Sequence, residues 1–438
     1  MSNNGDEKRG HVPQGLLDDP KLFPEGGLRA YLVLVGSFLG LIGSLAFCNS
    51  VGAVESYMKE HILIKQPTST VAWIFSIYNF MEFGMSLITG PIFDKVGARI
   101  PISIGICLFA IGIMTMSILK SIYQFILSFS VCAGLGSSFT FSPFVSVLSH
   151  YFYKKRGQAV GIAYIGGSIG GVFMPLVFKS LFDKVGFGWT IRIGGFICLI
   201  FLIIGLILVK DRNKVFCEAR EPKQNLIVEI IKSIDIGVFK DQIFTMLVLS
   251  LLGNGFAFLI TMTYLPSYAV KIGYPESKSY LLLTVFNSLS IPGRLLPGFL
   301  ADKFGPFNIL CCISIMSSVS FLVIWFPHPV GHNIIGLYIF LAMYGFSSGS
   351  FLLLTPTCIG VLSKTKDFGK RCGTAFFVLS FGDLFGIVIG GAIIGKGNLK
   401  NYDHMVIFVM ICSLIATTCA ITSRIRLAKL GFGKKLIC

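Results

Sequence analysis

The 438-residue chain reads as an all-α membrane protein, with twelve spanning helices in two pseudo-symmetric halves of six. Composition, segment spacing and one repeated turn predict this. Hydrophobic residues make up 54% and charged residues only 13%, and the mean hydropathy is +0.78. A water-soluble domain carries about 25% charged residues. Twelve apolar stretches follow, each long enough for the ~20 residues that cross about 30 Å of hydrocarbon. They lie at 29-54, 70-93, 100-119, 121-149, 158-182 and 189-209, then at 242-270, 279-301, 306-326, 333-361, 372-395 and 404-424. The turn Gly90-Pro91-Ile92-Phe93-Asp94-Lys95-Val96-Gly97-Ala98-Arg99 joins the second and third stretches. It returns between the eighth and ninth as Gly298-Phe299-Leu300-Ala301-Asp302-Lys303-Phe304-Gly305, 208 positions later. Self-similarity at matching places in two apolar halves marks an internal duplication.

These stretches divide the chain into a tail (1-28), a six-helix half (29-209), a polar central loop (210-241), a second half (242-424) and a tail (425-438). With both tails on one side, 26 of the 37 Lys and Arg fall in inner segments, 9 in outer ones, and Arg192 and Arg294 within spans. An excess of Lys and Arg marks the cytosolic face, so both termini and the central loop are expected there. The net charge of +16 then belongs to loops. It forms no patch interleaved with stacking aromatics, and no nucleic-acid partner is expected. The first 28 residues carry no cleavable signal peptide, so the first span is expected to serve as the insertion signal. The expected location is the plasma membrane, with a vacuolar or other organelle membrane as the alternative.

The twelve cysteines lie mostly inside spans, as Cys107, Cys132, Cys198 and Cys412 do, and act there as small hydrophobes. With no CxxC and only six His, neither a disulfide framework nor a metal site is expected, and no cofactor. The chain lacks GxxxxGK[ST] and HExxH, which argues against nucleotide-driven transport and against an enzyme. Glycines recur at helical spacing in three spans: Gly157, Gly161, Gly166 and Gly170; Gly345 and Gly349; Gly382, Gly386 and Gly390. Such stripes let helices approach closely. Pro143 is expected to interrupt the fourth span, and Pro292 and Pro297 the eighth.

The repeated turn resembles the loops between helices 2 and 3 and between helices 8 and 9 of the major facilitator superfamily. Two further stretches resemble the monocarboxylate transporter family, in its fungal branch, which includes riboflavin transporters. They are Pro24-Glu25-Gly26-Gly27 before the first span and YFYKKRGQAVGIAYIGGSIGG, Tyr151 to Gly171, entering the fifth. The first begins with Glu where the family usually has Asp. The resemblance covers about residues 24-425. It implies alternating access, a central site between the halves, and a turn that latches the cytosolic side shut. The gate residues are then Gly90, Asp94 and Arg99, with Asp302 and Lys303 in a weaker second copy. Lactate and pyruvate carriers of this family have a lysine late in helix 1, and an Asp and an Arg four residues apart in helix 8. The matching positions here are Asn49, Ser290 and Arg294. Two of the three charges are missing, so a simple proton–lactate symporter is not expected. The expected partner is a small organic solute, anionic, such as a monocarboxylate or riboflavin, with or without a coupled proton. Nothing in the sequence names an accessory protein. A non-transporting nutrient sensor on the same fold is the alternative, and the short tails argue against it.

Depth follows from a rise of about 1.5 Å per residue. Arg294 precedes Asp302 by eight residues, placing it about 12 Å inside the membrane. Glu82 precedes Asp94 by twelve and Asp383 follows Arg371 by twelve, so both acids lie about 18 Å deep. A charge near the midplane costs about 3 kcal/mol or more unless it faces a partner or a cavity. Arg294 is therefore the expected solute anchor, with Asp383 holding it between cycles. Asn49, Tyr164, Asn254 and Asn287 are candidates to bind the solute. Glu82 and Asp383 are the proton-coupling candidates, because two acids at one depth titrate as a pair.

Overall fold

The computed structural model describes residues 22–66, 68–212, 236–327, 333–395 and 398–429. Lys214, Arg220, Lys223 and Lys232 of the central loop, and the ends of both tails, lie outside the described residues. Among those described there is no strand. Among the described residues, nine helices are long and apolar enough to cross a membrane. One of them, Arg156–Leu208, is two helices meeting at Gly186, whose φ of 71° breaks the helix. Thr68–Val96 and Glu276–Phe304 complete the twelve.

In chain order, α1 is Leu28–Leu45, carried on through a 3₁₀ turn at Cys48–Ser50 into Val51–Tyr57. Helix α2 comprises Thr68–Gly84 and Ser86–Val96. Next come α3 (Arg99–Met116), α4 (Ile122–His150), α5 (156–185) and α6 (187–208). The second half holds α7 (Gln242–Lys271), α8 (Glu276–Phe304), α9 (Pro306–Trp325), α10 (Ile334–Leu362), α11 (Phe368–Ile394) and α12 (Leu399–Leu427). Pro292 and Pro297 sit inside a continuous helix, while Pro143 sits in one that tightens to a 3₁₀ turn at Val147–His150, four residues on. Further irregularities occur where no proline stands, at Met85 in α2, at Cys48–Ser50 in α1, and in π-helical turns at Ile126–Ala133 of α4 and Ser320–Trp325 of α9. Helix neighbours compensate for a lost proline hydrogen bond in a spanning bundle.

Both repeated turns end on a glycine in the left-handed region, Gly97 at φ 87° and Gly305 at φ 88°. A side chain there costs about 1 kcal/mol or more, so the turn needs glycine at that step in each half. The halves meet along two seams, α2 against α11 and α5 against α8. Glycines set their closeness. A Cβ on Gly90 or Gly373 would run into backbone across the first seam. On the second, Gly157 faces the Gly298 carbonyl and Gly161 the Arg294 carbonyl, each 2.7 Å from an ideal Cβ. The remaining stripe glycines of α5, Gly166 and Gly170, face α1 instead. Small residues allow such backbone approach in a medium that gives helices no hydrophobic reason to associate.

Candidate functional site

The turns act across the seams. Asp94, at the end of α2, accepts hydrogen bonds from the Gly369 and Lys370 amides (3.1 and 2.8 Å), the first turn of α11. Asp302, at the end of α8, accepts from the Gly157 and Gln158 amides (2.7 and 2.8 Å), the first turn of α5. Each carboxylate therefore caps a helix of the opposite half, using orphan N–H groups and the positive end of the helix dipole. The second copy, expected to be weaker, makes the same pair of bonds as the first. Arg99 does not join this latch. It is exposed, and its Nε donates to the Val209 carbonyl at the end of α6 in its own half (3.2 Å). Lys303 is exposed, with its ammonium 5.4 Å from the Phe304 ring centroid.

The two signature stretches meet at the same end. Glu25, held at φ 53°, accepts hydrogen bonds from the Tyr153, Lys154 and Lys155 amides. Asp211 receives the Ala98 amide (2.9 Å) and fills the space beside Gly97. The sequence marked Glu25 only as part of a signature and did not single out Asp211, because only the fold brings residue 25 to 153 and residue 211 to 98. The conformation is thus closed at the turn end.

Above this end, four aromatic rings from four helices form a floor. Phe141 of α4 meets Phe83 of α2, Phe376 of α11 and Tyr164 of α5 edge-on, with centroids 5.2, 5.3 and 6.1 Å apart. All four residues are buried. Arg294 lies beside Tyr164. Its guanidinium donates to the Tyr164 carbonyl and sits 6.0 Å from that ring's centroid. Arg294 is 5% exposed, and its Nε has no hydrogen-bond partner; neither has the Tyr164 hydroxyl. Asn49, in the 3₁₀ turn of α1, donates to the Gly167 carbonyl (2.9 Å). Ser290 and Ser168 share a hydroxyl hydrogen bond (3.0 Å) across the α5–α8 seam, at the position where the family's aspartate would stand.

Glu82 and Asp383 occupy the other seam. Glu82 is fully buried, and neither carboxylate oxygen accepts a hydrogen bond of ordinary geometry. Asp383 is 4% exposed with Oδ2 unpartnered. The seam is tight beside them, with Phe80 and Phe381 rings 5.5 Å apart. The expected pairing of Arg294 with Asp383 is absent. The glycines of α5 bring its backbone so close to α8 that the guanidinium meets the Tyr164 carbonyl first. Asn254 does not present its amide group freely, since its Nδ2 donates to Ser250 on its own helix (3.0 Å). Asn287 is half-buried, and its carbonyl accepts from Ser290 (2.7 Å). Two stretches, 166–170 and 345–349, read Gly-x-Ser-x-Gly. Both lie within helices, with Ser168 bonded to Ser290 and Ser347 to the Tyr344 carbonyl (3.1 Å), not on a strand-to-helix elbow.

Two linked helical halves, latched at one end, with charges buried at their seams, define a polytopic membrane transporter. Residues 34–390 match the model of the Major Facilitator Superfamily, and the chain belongs to that family. It is similar to the Riboflavin transporter MCH5 of Saccharomyces cerevisiae, 37% identical over 414 residues, covering 92% of this chain and 79% of that one. It is also similar to the MFS transporter asaE of Aspergillus flavus, 34% identical over 420 residues (96% and 91%). The aspyridones efflux protein apdF of Emericella nidulans is 30% identical over 393 residues (89% and 77%). Among solved structures, the proton:xylose symporter XylE superposes with a TM-score of 0.70 at 14% identity, covering 89% of this chain and 94% of that one. At that identity the likeness is one of fold.

Proposed function

We propose that this transporter moves a small organic solute by alternating access, and that Arg294 anchors an anionic or carbonyl-rich group of that solute. One observation carries the reading. A guanidinium that keeps its charge is buried at the seam between the halves, with one donor, Nε, left unpartnered. Only a bound group, water or a rearranged seam can satisfy it. Asn49 and Tyr164 stand beside Arg294 and complete the solute site, with Asn287 and Asn254 at its margin. Glu82 and Asp383 carry a proton through the cycle. The turn end faces the cytosol, a reading the Lys and Arg distribution supports, and the latched conformer receives solute from the opposite side. The membrane of this reading is the plasma membrane, with a vacuolar or other organelle membrane as the alternative. Relatives named as a riboflavin transporter and an aspyridones efflux protein support an organic solute over an inorganic ion.

The test is reconstitution of the full chain in liposomes with labelled solutes, riboflavin and lactate among them. Saturable uptake of one or more is expected. A solute that binds the purified protein yet never crosses the bilayer would overturn transport and favour the sensor alternative.

A further inference from the structure

The proposed site has two poles, and they lie on different seams. Arg294 forms the basic pole on the α5–α8 seam. Glu82 and Asp383 form the acidic pole on the α2–α11 seam. The 3₁₀ turn of helix α1 touches both sides. Cys48 donates to Asn79 Oδ1 of α2 (3.4 Å), one turn from Glu82. The next residue, Asn49, donates to the Gly167 carbonyl of α5, and an ideal Cβ on Gly167 lies 3.4 Å from an Arg294 nitrogen. One turn of α1 therefore touches both seams. A 3₁₀ turn in the middle of a long helix often marks a hinge, and here it contacts the helices that carry both poles.

Both poles have unsatisfied groups aimed at hydrogen bonding. The acidic pole has both oxygens of Glu82 and Oδ2 of Asp383, all acceptors when ionised. The basic pole has Arg294 Nε and the Tyr164 hydroxyl, both donors. With all three charges present the site carries a net charge of −1. A simple monocarboxylate satisfies Arg294 but brings a second negative charge toward an acidic pole that it leaves unpartnered. A solute with two chemically different edges satisfies both.

Resting on the transporter reading above, we propose that the solute is dipolar: one edge a hydrogen-bond donor or cation, received by Glu82 and Asp383, the other a carbonyl or carboxylate, received by Arg294 and Tyr164. Zwitterions and planar heterocycles with an imide N–H beside carbonyls belong to this class. Acceptor-only acids such as lactate do not.

Binding to the detergent-purified full chain tests this without requiring transport, so its failure is distinct from failure of the transporter reading. The probes are riboflavin, riboflavin methylated at its imide nitrogen, zwitterionic amino acids and lactate, read as ligand-induced thermal stabilisation and by competition. At least one dipolar probe is expected to bind, and lactate is not. Blocking the imide N–H should weaken riboflavin by about tenfold, the worth of one hydrogen bond to a charged group. In Glu82→Gln that discrimination should shrink, while the protein still folds and retains its elution profile. The proposal falls if no dipolar probe binds, if lactate binds as well as they do, or if Glu82→Gln leaves the discrimination unchanged.

Discussion

Arg294 shows what a single residue can reveal. Its charge and its eight-residue distance from the turn residue Asp302 were legible in the sequence, and so was the departure from the family pattern at Ser290. Its partner was not, because the Tyr164 carbonyl reaches it only through the glycine-lined contact of α5 with α8. Arg294→Lys keeps the charge but loses the planar fork, so solute affinity should drop about tenfold with folding preserved. Arg294→Ala should abolish uptake; wild-type affinity in that variant would reduce the arginine to a packing role. The acids make a second residue-level prediction. An inward proton gradient should accelerate uptake by the wild type. Glu82→Gln and Asp383→Asn should each remove that acceleration, measured at saturating solute so that a change in affinity does not mask it. Uptake indifferent to the gradient in the wild type would make both acids structural.

At the scale of elements, the two latches are equivalent devices. Each is one carboxylate on two amides at a helix start. Each amide bond is worth about 1 kcal/mol net, so Asp94→Ala and Asp302→Ala should each shift the conformational equilibrium toward opening at the turn end by about 2 kcal/mol. Accessibility of single cysteines placed behind the aromatic floor would report the shift. A strong effect at Asp94 with none at Asp302 would contradict the symmetric geometry. Gly90→Ala tests the same closure sterically, since its Cβ would overlap the Gly369 backbone. The variant should fold and insert, yet populate the conformer open at the turn end. The duplicated turn was plain in sequence. That both copies engage a helix of the opposite half, and that Arg99 does not, depends on where the second half sits.

The whole molecule carries the topology prediction. Cysteines introduced near residues 62 and 222 should label oppositely in intact cells, the first from outside and the second only after permeabilisation. Residue 222 lies outside the described residues, so this rests on the charge distribution alone. Labelling of 222 from outside would invert the molecule and exchange the two faces of the transport cycle.

Sequence by itself determined the helical membrane class and the twelve helices, because crossing hydrocarbon demands long apolar segments with internally satisfied backbones. It also determined the duplication, and the distance of Arg294, Glu82 and Asp383 along their helices from the turn residues, because rise per residue is a local property. Tertiary structure decided everything that depends on which helices touch. It capped the start of α5 with Glu25 and Asp302, 277 positions apart in the chain. It left Glu82 and Asp383 without Arg294 and placed the acids on one seam and the base on the other. A lone buried charge states in sequence that it needs a partner. Which partner it finds is set by the small residues that determine how closely two helices can approach.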